Sequence, residues 1–363
     1  MKAPGRGSLD SESERVVHVE GVAFILLAFF IAIIILVNAL YRSAKKPRPS
    51  QSYILPDLGM QEHSEEFAQE LKALIDHLDN ALDETYVARV KERVFREHKV
   101  GLTEWENRWF EWKRYLVMTA LLKSVPMYSR EVDEVWHEML MFTREYEDFS
   151  RRFLRTTLHH SPNDGDQAPD PYERAWFDVI YVCLFKPTKY SSQTWGAFLR
   201  HPLRRELIWA LKEDDVEEIA SRYFNTRTQE QVPHVAKLVS SLIVYLKGQL
   251  AKIDEVVAKE GHTVTKFKRY RKSLVPQSNE ALLMLTSVLF LSAYHDEDFA
   301  TQLARLQSPS AKAHHSSSGS DEFGCASIDN GGDSGGSGDS DSGNSSCSSS
   351  SCSSSSSGCG SSS

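Results

Sequence analysis

Cysteine is nearly absent from most of this chain: of five in 363 residues, Cys325, Cys347, Cys352 and Cys359 sit in the last 48, leaving Cys183 alone before them. A lone thiol cannot frame a domain, which excludes a disulfide-stapled scaffold for residues 1–315. Net charge is also missing there. Ser316–Ser363 holds six acids and no Lys or Arg, so 44 of the 50 Asp+Glu stand against all 42 Lys+Arg in the rest, and only −2 of the formal −8 belongs to it. That near neutrality excludes a generally basic nucleic-acid binder. No Gly-x-x-x-x-Gly-Lys-Ser/Thr loop and no Gly-x-Gly-x-x-Gly occurs, so the usual phosphate cradles are lacking. Strand-like alternation is scarce throughout.

What is present begins with Val22–Tyr41, VAFILLAFFIAIIILVNALY, in which only Asn38 is polar. Twenty helical residues reach about 30 Å, the thickness of a bilayer's hydrocarbon core. The run predicts a transmembrane helix. A cleaved signal peptide ending at Val37-Asn38-Ala39 competes, but its apolar core would exceed the usual length of about 7–15 residues. Arg42, Lys45, Lys46 and Arg48 follow the run directly, so the positive-inside rule places the N-terminus outside and the C-terminal body in the cytoplasm.

The expected organisation is a short segment at 1–21, the span at 22–41, a Pro-containing juxtamembrane linker at 42–60, a helical body at 61–307 with a possible subdivision near 162–171, and a tail at 308–363. Of the last 48 residues, 23 are Ser and ten are Gly; with almost nothing apolar to bury, such a tail is expected to be disordered. The body reads as all-α. Phe67, Leu71, Leu74, Ile75, Leu78 and Leu82 recur at helical steps, and Thr103-Glu104-Trp105-Glu106 has the form of a capping box. Trp105, Trp109, Trp112 and Leu116 form one stripe, expected in the core. Further helices are expected at Tyr172–Phe185, Leu203–Tyr223, Val235–Val257 and Glu280–Tyr294. Within the last of these, Ala281–Tyr294 is apolar but too short to span a bilayer, so it predicts a buried helix. Cys183, inside Val179–Phe185, reads as an inert buried thiol.

Chemistry concentrates in Ser129–Pro162. Val132, Val135, Trp136, Met139, Leu140, Tyr146, Phe149 and Phe153 predict one long helix capped by Ser129. Asp133 and His137 lie one turn apart, a spacing that lets a carboxylate and an imidazole share a metal or hydrogen-bond each other. His159 and His160 follow before the turn at Pro162. If the chain folds back, Asp133, His137, His159 and His160 converge as a metal site for zinc or iron; otherwise Asp133 orients His137 and the two later histidines cap a helix end. No His-Glu-x-x-His motif is present, because Met141 stands where its second histidine would be.

The run Asp133-x-x-Trp136-His137, then Tyr146, then Leu158-His159-His160-Ser161-Pro162, resembles the signature of the glycine-rich domain-containing proteins and their bacterial relatives. Those proteins commonly show Asp-x-x-Trp-His-x-His, a following aromatic and a terminal His, and several carry a low-complexity tail punctuated by Cys. The family's second histidine would fall at Met139, which removes one ligand. The resemblance implies a helical domain without an established enzymatic activity.

Lys266–Lys272, KFKRYRK, adds Lys266, Lys268, Arg269, Arg271 and Lys272 as a basic cluster. Together with Arg42, Lys45, Lys46 and Arg48 it is expected to meet an anionic membrane surface, each base adding about 1 kcal/mol. These features predict a single-pass, membrane-anchored binding or scaffolding protein that uses no cofactor. Its partners would be the bilayer and a protein, with no specific nucleic acid. The alternative is a membrane-bound, metal-dependent hydrolase built on the Asp/His cluster.

Overall fold

A computed structural model describes residues 29–31, 33, 51–160, 170–275 and 279–306. It is helical, and no strand occurs among the described residues beyond two isolated bridges, Met60 to Phe185 and Leu122 to Phe224. The helices are α1 (Glu65–Ala81), α2 (Glu84–His98), α3 (Leu102–Leu121), α4 (Arg130–Leu140), α5 (Thr143–Leu154), α6 (Pro171–Leu184) and α7 (Lys189–Thr194). They continue with α8 (Arg205–Glu213), α9 (Val216–Tyr223), α10 (Thr226–Gln231), α11 (Val235–Glu260), α12 (Val264–Tyr270), α13 (Glu280–Tyr294) and α14 (Phe299–Leu306).

Their starts follow local chemistry. Side chains of Ser64, Asp83, Ser129, Asp170 and Asn279 each accept from a backbone N–H in the first turn of the helix that follows, satisfying a donor that has no intrahelical partner. In α1 the residues Phe67, Leu71, Leu74, Ile75 and Leu78 form one buried stripe, which lies against α11, and α11 in turn packs on α8, α9 and α13. The α13 helix is apolar on every side and is a core element.

Three expectations need correction. The long helix predicted from Ser129 is two helices, α4 and α5, separated at Met141 and Phe142. Tyr86 Oη donates to the Met139 carbonyl at 2.9 Å, which satisfies a terminal acceptor of α4, and the Tyr86 ring meets Phe142 edge-on at 6.0 Å. Leu203–Tyr223 likewise divides into α8 and α9 at Asp214-Asp215, where Lys247 Nζ donates to the Asp214 carbonyl at 2.7 Å. The capping box at Thr103 does not form. The helix α3 already starts at Leu102, with Gly101 at its N-cap and no side-chain cap, so Thr103 lies inside the first turn and cannot cap it.

Residues 51–61 are sewn to the body. Tyr53 N–H donates to Asn107 Oδ1 at 2.8 Å, Arg114 Nε to the Leu58 carbonyl at 2.8 Å, and Gln61 N–H to the Leu184 carbonyl at 2.8 Å. Gly59 is required in this strap. Its φ is +63°, and a Cβ there would lie 2.6 Å from Leu55 Cδ1 and 2.8 Å from Arg114 Nη2. Beneath the strap, buried Glu111 accepts from Tyr181 Oη (2.6 Å), Ser191 Oγ (2.6 Å), Trp195 Nε1 (2.8 Å) and Arg114 Nη1 (3.3 Å). This ties α3, α6 and α7 together with a fully bonded ion pair.

The membrane placement is also corrected. Among the described residues no helix is long and apolar enough to cross a membrane. The longest, α11, has 26 residues but includes Lys237, Lys247, Lys252, Asp254, Glu255, Lys259 and Glu260, and α13 has only 15 residues, about 22 Å of rise. Within Val22–Tyr41 only Phe29, Phe30, Ile31 and Ile33 are described, as helical and exposed. The remainder of that run, the bases Arg42, Lys45, Lys46 and Arg48, and the Ser-rich tail lie outside the described residues. The expected outside-to-cytoplasm topology therefore has no described helix to support it.

Candidate metal centre

The cluster is built on α4. Val132, Val135, Trp136 and Met139 take its buried face, which leaves Asp133 and His137 one turn apart on the outer side, with side chains 28% and 54% exposed. The third member comes from the chain after α5. That helix ends at Leu154, and Arg155 takes a left-handed conformation, φ 59°, turning the chain back over α4. Tyr146 Oη then fastens the returning segment: it accepts from Trp136 Nε1 at 2.9 Å and donates to the Leu158 carbonyl at 2.7 Å.

This brings His160 to the trio, its side chain 13% exposed. His160 Nε2 lies 2.9 Å from Asp133 Oδ1, and His137 Nε2 lies 3.7 Å from Asp133 Oδ2. The two imidazole centres are 4.8 Å apart, and Trp136 meets His160 edge-on at 4.5 Å. One donor atom from each of Asp133, His137 and His160 falls within 4.8 Å of the others.

Charge is sorted between the two flanks of α4. Glu134 and Glu138 are claimed by cations: Arg108 and Arg130 contact Glu134, Arg93 contacts Glu138, and His98 lies 3.2 Å from each. Asp133 has no Lys or Arg partner among the described residues; its contacts are the two histidines. Its field also reaches Tyr115, whose hydroxyl is pushed up first by burial and then by this carboxylate. Burial likewise pushes Tyr146 up to about 12, so its hydroxyl keeps its proton and its bond to Leu158.

Of the four candidates named from sequence, three come together. His159 is exposed and outside the trio, because adjacent residues of an extended segment face opposite ways. Neither His159 nor His160 caps α5, which ends at Leu154. The hydroxyl link of Tyr146 escaped the sequence reading, although a tyrosine in a buried apolar stripe usually needs a partner for its oxygen.

The basic cluster is divided. Lys266, Lys268, Arg269 and Lys272 are exposed. Arg271 is buried and donates to Ser287 Oγ at 3.0 Å and the Leu306 carbonyl at 2.6 Å, while Phe267 stacks on Phe290 at 3.8 Å. At Cys183 the expectation of an inert thiol fits the surroundings: it is buried, and burial pushes its thiol up.

The family model described as UCP032817-like matches residues 77–176, a segment that holds all three members of the trio. This overturns the resemblance to the glycine-rich domain-containing proteins, since the match is to a different family. No curated protein and no solved structure matches the chain.

Proposed function

We propose that this helical domain binds a divalent transition metal, zinc or iron, through Asp133, His137 and His160, and that the bound metal serves hydrolysis. The convergence of three donor atoms within 4.8 Å, from a helix and a returning segment, carries the reading. Two imidazoles and one carboxylate suit zinc or ferrous iron and leave coordination positions open. Ligand atoms around a tetrahedral metal at about 2.0–2.1 Å lie about 3.3 Å from one another. The observed separations of 2.9 and 3.7 Å straddle that value. Exposed His137 has the freedom to close the remaining gap. A metal there would lower the pKa of a bound water and supply a nucleophile. Asp133, which has no Lys or Arg partner among the described residues, contributes the negative charge that holds a cation.

Elemental analysis of the purified full chain after incubation with zinc or ferrous iron tests the reading. One equivalent is expected, lost in His137→Ala and Asp133→Ala and kept in His159→Ala. A metal-free wild-type chain would overturn it. A second reading, partner binding without catalysis, is favoured by Met141, 62% exposed one turn beyond His137. Stoichiometric metal with no hydrolysis of model phosphate or carboxylate esters would favour that reading.

A further inference from the structure

The chain turns a basic surface outward at α12, and the metal reading makes no use of it. Residues 261–275 and 299–306, which include α12 and α14, hold six Lys or Arg and no Asp or Glu. Packing decides how these bases are displayed. Val264 and Phe267 take the buried face of α12, with Phe267 stacked on Phe290 of α13 at 3.8 Å, which leaves Lys266, Lys268, Arg269 and Lys272 exposed. Arg305 joins them from α14: it is exposed, and Lys268 Nζ donates to its backbone carbonyl at 2.8 Å. Arg271 lies beneath and donates to the Leu306 carbonyl at 2.6 Å, which ties the end of α14 to the end of α12.

Acidic side chains do not neutralise this surface. Lys266, Arg269 and Lys272 have no hydrogen bond or ion pair among the described residues. The one carboxylate hydrogen-bonded to α12 among those residues is Glu260, which accepts from Tyr270 Oη at 3.0 Å. Set against six bases, it leaves five positive charges in excess. Asp296, Glu297 and Asp298 stand before α14, at the end away from Arg305, and face Arg205 and His295. Buried Arg271 has an unpaired Nε, and burial pulls its guanidinium below the usual range with no carboxylate to offset the fall. Like charges gathered by the fold repel one another, and an anionic partner relieves that cost.

We propose that Lys266, Lys268, Arg269, Lys272 and Arg305 form a docking surface for the anionic headgroups of a phospholipid bilayer. The interleaved aromatics speak against single-stranded nucleic acid, which needs rings on which its bases can stack: Phe267 is buried against Phe290, and Tyr270 is half-buried and fastened to Glu260. A bilayer also suits another part of the chain, since Phe29, Phe30, Ile31 and Ile33 are exposed helical residues within an apolar run. It supplies headgroups for the bases and an apolar layer for these side chains in one partner. A basic patch and an apolar group are two signals that together hold a chain at a lipid surface, and neither requires a helix that crosses it. The surface shares no residue with the Asp133, His137 and His160 trio, so either proposal can fail alone.

Co-sedimentation of the full-length chain with vesicles of phosphatidylcholine alone, and with vesicles in which about one third of the lipid is phosphatidylserine, tests this. The neutral vesicles report the apolar contribution, and the ratio of the two partition coefficients reports the bases. That ratio is expected to be at least about a hundredfold in low salt and to collapse in high salt, which screens the attraction. The triple variant Lys266→Gln, Arg269→Gln, Lys272→Gln removes no hydrogen bond, whereas Lys268 is kept for its bond to the Arg305 carbonyl. It is expected to lower the ratio by about a hundredfold, at about fivefold per base, with an unchanged circular dichroism spectrum and melting temperature. A wild-type ratio near unity, or a ratio that falls by less than about tenfold in the triple variant, would overturn the proposal. Single-stranded RNA bound more tightly than the anionic vesicles, and released by the same variant, would overturn it too, by assigning the surface to nucleic acid.

Discussion

Removing one oxygen atom should separate the two halves of the metal cluster. In Tyr146→Phe the ring stays, so the buried apolar area on α5 is preserved, but Trp136 Nε1 and the Leu158 carbonyl lose the hydroxyl that links them at 2.9 and 2.7 Å. Trp136 is only 4% exposed, so its N–H is stranded without water. A stranded buried donor costs about 1–3 kcal/mol. The Leu158 carbonyl is half-buried and regains water in part, adding about 0.5–1 kcal/mol on the same scale. The expected destabilisation is about 1.5–4 kcal/mol. For a domain of this size that lowers the melting temperature by about 3–16 °C, at about 2–4 °C per kcal/mol. The effect on the site is separate. Leu158 is two residues before His160, so its release lets the imidazole drift from Asp133, and losing such outer support weakens a metal site about 10–100-fold. Thermal melts followed by circular dichroism give the first quantity, and zinc titration well below the melting temperature gives the second. A variant that melts lower yet binds zinc as the wild type does would refute the positioning role of Tyr146. A variant unchanged in both would refute the bonds themselves.

Other outcomes follow from the same physics. Glu111→Ala should destabilise by about 3–5 kcal/mol in urea unfolding, since it leaves the Arg114 guanidinium buried without its counter-charge; a loss under 1 kcal/mol would show that water replaces the carboxylate. His63, lowered to about 4 mainly by burial, is neutral in the fold while the unfolded chain takes up a proton near 6.5, so stability should fall as pH drops from about 6.5 to 4, by at most about 3 kcal/mol. His63→Gln should flatten that slope. Asp178, pushed up to about 6 by burial, tilts the opposite way: the fold keeps a proton that the unfolded chain has released, so stability falls as pH rises from about 4 to 6, and Asp178→Asn should expose the histidine slope alone. Cys183 should react with a thiol reagent only at the rate of unfolding; rapid labelling in buffer would contradict its burial.

Local chemistry was readable along the chain wherever it decided the outcome. The α13 helix is apolar on every side, and its limits, Glu280–Tyr294, are those expected from sequence. Ser129 caps α4 as its position suggested. The break after Leu140 is not readable, because Met141 and Phe142 continue the apolar period; the Met139 carbonyl at the end of α4 accepts from Phe142 N–H and from Tyr86, 53 residues earlier in the chain. The same division runs through the candidate site. Asp133 and His137 are legible from one-turn spacing alone. Choosing His160 over His159 needs the turn at Arg155 and the bond from Tyr146, both tertiary facts.

The strap at residues 51–61 bears on how this chain can be cut. A fragment beginning at the first regular helix, Glu65, would lack the Leu58 carbonyl that receives Arg114 Nε and the Gln61 amide that joins Leu184. A buried guanidinium would then open to water at the centre of the bundle. The smallest piece that keeps its interior closed must reach back to Gln51, whose carbonyl receives Asn107 Nδ2 at 3.1 Å. The Gln61 side chain also donates to the carbonyl of Val182, a separation of 121 residues, so the first part of the body to leave the ribosome would be among the last to dock.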